Sequence, residues 1–282
     1  MRNPRRSQKI AFFFLFLATL LIVVPVGWIV IIIIQKGSLA INWQFLTDIP
    51  RQGMRAGGIF PAIIGTFYLV LGAVVFALPI GLLAAIYLSE YAKDNILNRI
   101  IKLAIVNLSG VPSVVYGLFG LALFVVFLKF GASILSGSLT LGIMILPIII
   151  TTSREALESV PQSFREVSLS LGASKWQTIR HIVLPNAIPG ILTGTILGLG
   201  RAAGETAPIL FTVAAFYLPR LPKSIFDQAM ALPYHLYVIS TQVPNVDEKV
   251  RYGTALVLLF LVLAMNLVAI IIRYNFRKKK KW

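Results

Sequence analysis

Long apolar runs alternate with short polar breaks along this chain, and the runs set its architecture. Six of them reach or approach the roughly 20 residues needed to cross hydrocarbon as a helix: 10–34, 61–88, 104–129, 138–153, 188–213 and 253–273. Helices are the predicted form, because the runs are continuous rather than alternating and lipid offers no partner to an open strand. The predicted fold class is therefore all-α integral membrane with six transmembrane helices. The fourth run is short and poorly separated from the third, which makes that hairpin the least sharply bounded. Pro61, Pro79, Pro112, Pro147, Pro189 and Pro208 fall in or at the ends of these runs. They read as structural kinks whose freed carbonyls neighbouring helices satisfy.

The first run stands apart, followed by a polar and Gly-rich segment, 35–58. This divides the chain into a peripheral helix with its outer segment at 1–58, a core at 59–273 and a basic tail at 274–282. The longest outer segment, 214–252, carries Tyr217, Tyr234, Tyr237 and Tyr252. These read as interface anchors, with a docking surface for an extracytoplasmic partner as the alternative.

Composition agrees with the pattern: 57% of the 282 residues are hydrophobic and 13% charged, about half the charged share of a soluble domain. The net charge of +16 would suit nucleic acid, but its distribution suits a bilayer better. With the N-terminus inside, 17 Lys and Arg fall on the cytoplasmic side, eight outside, and Arg201 within a span. That is the positive-inside bias, and the basic tail Arg277–Lys281 is placed on anionic head groups. The chain has no cysteine, which excludes disulfides, thiolate metal sites and cysteine nucleophiles. The basic-then-apolar start resembles a signal peptide, but its apolar run is too long and lacks a small-residue cleavage site. It reads as an uncleaved first span.

Between the fourth and fifth runs lies a polar island, 155–185. Ser163 with Glu166 forms one capping-box pattern, Gly172 suits a helix C′ position, and Ser174 with Gln177 forms a second box. The reading is a helix-turn-helix whose second helix stops near Pro185 and carries Trp176, Ile179, Ile182 and Val183 on one face. Such a hairpin either lies on lipid or is presented to a partner in water.

In the fifth run, Arg201 and Glu205 are four residues apart and share a helix face. With the helix starting near Ile188, Arg201 falls roughly 20 Å along it. A lone Arg there costs about 2.5–3.5 kcal/mol or more, so it must face the bundle interior and hold a partner. The pair is either a structural ion pair or a fixed positive charge that Glu205 shares with a passing anion, with Thr206 adjoining. Ser109, Ser113 and Tyr116 are further hydroxyls for that path, though hydroxyls in spans mostly bond to their own helix. Gly194, Gly198, Gly200 and Gly204 read as packing positions.

Two motifs carry a resemblance. Glu166, Gly172, Ile182 and Leu184-Pro185 match, gap for gap, the EAA loop of ABC-transporter permeases, with Val167-Ser168 in place of Ala-Ala. The run GRAAGETAPILFT, with GGIFPAIIGTFYLV and NLSGVPSVVYGLFG upstream, resembles the PstA-type phosphate permeases. The resemblance implies a type I importer (MetI-like) fold in a bacterial or archaeal cytoplasmic membrane, both termini cytoplasmic. It implies that Glu166, Gly172, Ser174, Lys175, Trp176, Ile182, Leu184 and Pro185 contact an ATPase, and that Arg201, Glu205 and Thr206 line the phosphate pathway. The implied partners are a PstC-type permease, two PstB-type ATP-binding subunits and a PstS-type binding protein outside. This chain has no G-x-x-x-x-G-K-[ST] loop, so it is not itself an enzyme; ATP and Mg²⁺ would bind on the partner, and no cofactor on this chain. Two alternatives stay open: another oxyanion (sulfate, molybdate or phosphonate), and a proton-coupled secondary transporter with Glu205 as carrier.

Overall fold

A computed structural model describes residues 4–278 and is almost wholly helical. Chain order is α1 (Pro4–Gly37), α2 (Trp43–Thr47), a two-stranded antiparallel ribbon pairing β1 (Pro50–Arg51) with β2 (Ala56–Gly57), then α3 (Phe60–Ile86). There follow α4 (Ile96–Leu108), α5 (Ser113–Gly120), α6 (Ile134–Glu158), α7 (Gln162–Ser170), α8 (Lys175–Thr178) and α9 (Leu184–Gly204). The last elements are α10 (Ala207–Thr212), α11 (Leu232–Thr241) and α12 (Glu248–Lys278). Residues 279–282 of the basic tail expected at 274–282 lie outside the described residues.

Helix α3 is built to be approached. Gly65, Leu69, Ala73, Ala77, Gly81 and Ala85 recur every fourth residue, and all are buried. Lipid is as apolar as leucine, so helices in a bilayer associate through close van der Waals packing over small residues. Helix α6 takes that face running parallel to α3, Gly142 meeting Phe76 and Ala73, and Ile149 meeting Gly81. Leu141, Met144, Ile145 and Ile149 are fully enclosed there. Helix α9 also packs against α6, close enough that a Cβ on Gly194 would overlap Thr152 Oγ1. Helix α12 lies against α9, and α1 leans mainly on α12, leaving most of its apolar surface uncovered.

Two runs read as single spans are broken. Run 104–129 is an elbow: α4 and α5 meet at 101° across residues 109–112. Pro112 holds φ −58° and ψ 140°, and its missing N–H and steric demand on Val111 end the helix. Tyr116 braces the elbow by donating its hydroxyl to the Leu108 carbonyl at 2.7 Å. Run 188–213 belongs to a helix that begins at Lys175, ends at Gly204 and restarts as α10. Among the described residues, five helices are thus long and apolar enough to span, or six if the elbow counts as one. The fourth span is longer than its apolar run, Ile134–Glu158 rather than 138–153.

Among the tyrosines of 214–252, Tyr234 is buried in the body of the protein rather than at an interface. Tyr217 donates its hydroxyl to the Pro50 carbonyl. Gly194 and Gly200 do pack against neighbours, whereas Gly204 faces open space.

Candidate functional site

The polar island folds as a helical hairpin. Gly172 has φ +83°, the left-handed conformation glycine adopts without penalty. Its N–H reaches the Leu169 carbonyl and that of Ala173 reaches Ser168, the paired bonds of a Schellman cap. Ser174 then opens α8 with the expected box: its Oγ accepts from Gln177 N, and Gln177 Oε1 accepts from Ser174 N. The first expected box does not form. Helix α7 starts at Gln162 behind Pro161, without a side-chain cap, so Ser163 and Glu166 lie inside a helix already begun. Proline's fixed φ suits the entry to a first turn.

The second helix does not stop at Pro185 either. A π-helical turn, Ile179–Val183, joins α8 to α9, with Leu184 N–H bonded to the Ile179 carbonyl. The wider turn admits a proline that cannot donate, and the helix runs unbroken from Lys175 to Gly204. It also rotates the apolar face. Thr178, Ile179, Val183, Ala187 and Ile191 are buried, whereas Trp176 is half-exposed and Ile182, Leu184 and Pro185 are intermediate. Glu166, Gly172, Ser174 and Lys175 sit on the exposed tip. Val167, Leu169 and Leu171 join Trp176 there, and Leu171 is 83% exposed. The tip is an apolar knob with a charged rim.

Beneath the tip, an ion pair that the sequence did not announce fixes the hairpin to the bundle. Arg165 Nη2 lies 2.7 Å from Glu90 Oε1, with side chains only 12% and 8% exposed. Its remaining donors go to backbone, Nη1 to the Val160 carbonyl at 2.7 Å and Nη2 to the Leu157 carbonyl at 2.9 Å. Glu90 belongs to a second π-helical turn, Tyr87–Tyr91, that ends α3. Lys175 stands over the Tyr91 ring at 4.8 Å, a cation–π contact. Ser168 and Thr178 join their hydroxyls at 2.9 Å between the two arms. A cavity of about 550 Å³ opens beside the pair, lined in part by Glu158, Gln162 and Lys175. The only sequence signal of the pair was two charges beside apolar runs, 75 positions apart.

The other pair lies at the opposite end of the continuous helix. Arg201 is in the last turn of α9, where a cation meets the negative end of the helix dipole. Glu205 has left the helix, with φ −77° and ψ 139°. Their nearest approach is 3.7 Å, Nε to Oε1, with side chains 30% and 19% exposed. That is an ion pair without a hydrogen bond, and the guanidinium makes none among the described residues. Thr206 is the hinge between α9 and α10, half-buried beside the pair. Helix α10 packs on α5, with Phe211, Ala207 and Pro208 against Gly117, which brings the elbow to this level. The hydroxyls of α4 and α5 divide: Ser109 donates to the Val106 carbonyl of its own helix and Tyr116 to Leu108, while Ser113 is half-buried. From Lys175 to Arg201 the helix spans about 39 Å at 1.5 Å per residue. The structure therefore keeps the tip residues and the charged pair apart and joins them by one rod.

Comparison with known proteins places this geometry. Residues 77–282 match the family model described as "Binding-protein-dependent transport system inner membrane component". The chain is 35% identical over 251 residues to the probable ABC transporter permease protein YqgI of Bacillus subtilis, covering 84% of this chain and 85% of that one. It is 33% identical to the phosphate transport system permease protein PstA 1 of Mycobacterium tuberculosis, covering 98% and 91%. Among solved structures, the inward-facing MetNI methionine ABC transporter superposes with TM-score 0.58 at 18% identity, over 78% of this chain and 94% of that one. A bacterial ABC transporter for alginate import gives 0.61 at 15%, over 96% and 99%. These two share the fold of a type I importer permease. The chain belongs to the family of binding-protein-dependent transport system inner membrane components.

Proposed function

We propose that this chain is a permease subunit of an ATP-driven importer of inorganic phosphate. The observation that carries the reading is the continuous helix from Lys175 to Gly204, with an exposed apolar tip at one end and Arg201 at the other. The PstA relatives, similar over nearly the whole length, support phosphate as the cargo. Glu166, Gly172, Ser174, Lys175, Trp176, Ile182, Leu184 and Pro185 form the surface that an ATP-binding subunit grips. ATP and Mg²⁺ bind on that separate chain. Arg201 offers a planar, always-protonated fork that matches phosphate oxygens; Glu205 holds it between turnovers, and Thr206 supplies a hydroxyl nearby. ATPase closure moves the tip, the helix carries the movement as a lever, and the pathway alternates its access.

The same reading assigns partners and placement. A homologous permease of the PstC kind completes the pathway, two PstB-type subunits sit inside, and a PstS-type binding protein docks outside. The chain lies in a bacterial or archaeal cytoplasmic membrane with the hairpin and both termini inside, following its 17 to eight distribution of Lys and Arg. The division into a peripheral helix and segment (1–58), a permease core (59–273) and a basic tail (274–282) belongs to this reading too.

The test is uptake by proteoliposomes holding the whole assembly. Labelled phosphate should enter only with ATP inside, and excess sulfate or molybdate should leave that flux unchanged. Flux that survives ATP removal under a proton gradient would instead mark a secondary transporter. Loss of phosphate flux matched by entry of the competitor would reassign the cargo.

A further inference from the structure

The hairpin is joined to the pathway covalently through α9, but a rod gripped at one end moves the bundle only if the bundle follows. The buried contacts around Arg165 supply that second attachment. Three elements end on this one guanidinium: α7, which carries it; α6, whose final turn presents the Leu157 carbonyl and whose exit, two residues on, presents that of Val160; and α3, whose terminal π turn presents Glu90. The π turn gives the local structure its meaning. A wide turn of this kind is rare, recurs at functional sites, and here occupies the five residues Tyr87–Tyr91 around Glu90. Helices α3 and α6 are also packed face to face along their length, so a pull on either end is a pull on both.

We propose that Arg165 and Glu90 form a mechanical link that makes α3 and α6 move with the hairpin, and that transport is coupled to ATP hydrolysis only while this link is closed. The inference rests on the reading of the hairpin tip as the ATPase contact. Arg165 acts here as a positioning residue and touches no substrate. Lysine cannot replace it. Its single ammonium cannot reach both Glu90 oxygens and two carbonyls in different directions, whereas the rigid guanidinium fork does so at once. The cation–π contact of Lys175 on Tyr91 closes the same gap one turn away.

The experiment compares Arg165→Lys, Glu90→Gln and the double variant in the full reconstituted assembly. It measures ATPase copurification, basal hydrolysis, and uptake per ATP hydrolysed. The expected result is intact assembly and hydrolysis, with uptake per ATP lowered by a factor in the roughly 5- to 150-fold range of coupling between sites. The double variant should be no worse than either single one, because both cut one link. The absence of native cysteine allows a rescue: Glu90→Cys with Arg165→Cys should be uncoupled when reduced, and a short bismaleimide bridging the two thiols should restore uptake per ATP. Uptake and hydrolysis falling in equal proportion, or bridged protein no better than unbridged, would reduce the pair to a fold-stabilising contact and overturn the proposal. Results are expressed as the ratio for whichever anion the wild type carries. A wrong cargo would therefore show in the wild type alone, and a wrong link only in the variants.

Discussion

Two arginine–glutamate pairs sit near opposite ends of the same rod, and they differ in almost every physical respect. Arg165 and Glu90 approach to 2.7 Å, are nearly enclosed, and join segments distant in sequence; the other donors of the guanidinium are spent on carbonyls. Arg201 and Glu205 are four residues apart, reach 3.7 Å, and remain partly open. A guanidinium with its donors filled can hold things together but has nothing left for a ligand. One held at arm's length by its carboxylate keeps its donors for an incoming anion at little cost. On the reading proposed above, the same two residue types serve as a fastening in one place and as a receiver in the other, and the surroundings decide which.

The difference can be broken most severely at the receiver. Arg201→Ala should leave the assembly intact and cut phosphate uptake by roughly 10- to 150-fold, the value of about 1.5–3 kcal/mol for hydrogen bonds to a charged group. Proteoliposome flux checks this, and unchanged uptake would make both pairs fastenings. The supports of the fastening are tested by stability instead of flux. Leu157→Ala, at a fully enclosed position, should cost about 2–5 kcal/mol of stability, read as a lowered unfolding midpoint. Leu171→Ala on the exposed tip should stay within about 0.5 kcal/mol yet weaken copurification of the ATP-binding subunit. That contrast separates the surface that binds a partner from the one that holds the fold. At the hairpin turn, Gly172→Ala forces a side chain into φ +83°, at about 1–2 kcal/mol, and should lower uptake more than it lowers the unfolding midpoint.

Much of this was legible in the sequence because its causes are local. The cap at Gly172 and the box at Ser174 depend on residues a few positions apart, and both formed. The apolar runs gave the spans wherever the helix was unbroken. What failed depended on contacts from elsewhere. Runs 104–129 and 188–213 stay apolar through their breaks, so hydropathy could not show the elbow at Pro112 or the interruption at Glu205. The second break is supported from outside its own run, by α10 settling on Gly117. Pro161 moved the start of α7 ahead of Ser163, and the π turn at Ile179–Val183 carried the helix past Pro185 and turned Trp176 outward. The Glu90–Arg165 pair was invisible for the plainest reason: nothing local connects the two residues.

A pH effect is expected away from both pairs. His235 in α11 is enclosed, with no partner for Nδ1 among the described residues, and burial pushes its pKa from 6.5 down to about 4. The folded state therefore holds it neutral, and stability present above pH 6.5 is lost as pH falls toward 4. Between pH 6.5 and 5.5 the loss is about 1 kcal/mol. Unfolding midpoints across that range should fall for the wild type and stay flatter for His235→Gln. A slope unchanged by that substitution would show that His235 is not the source of the acid sensitivity.

The receiver can be watched directly by placing a thiol at Thr206, beside the charged pair, in an assembly otherwise free of cysteine. In complexes arrested with a non-hydrolysable nucleotide, phosphate should slow maleimide labelling of Thr206→Cys, sulfate should do so less, and Arg201→Ala should abolish the protection. Labelling indifferent to phosphate, or protection that survives without the guanidinium, would contradict the claim that Arg201 receives the anion.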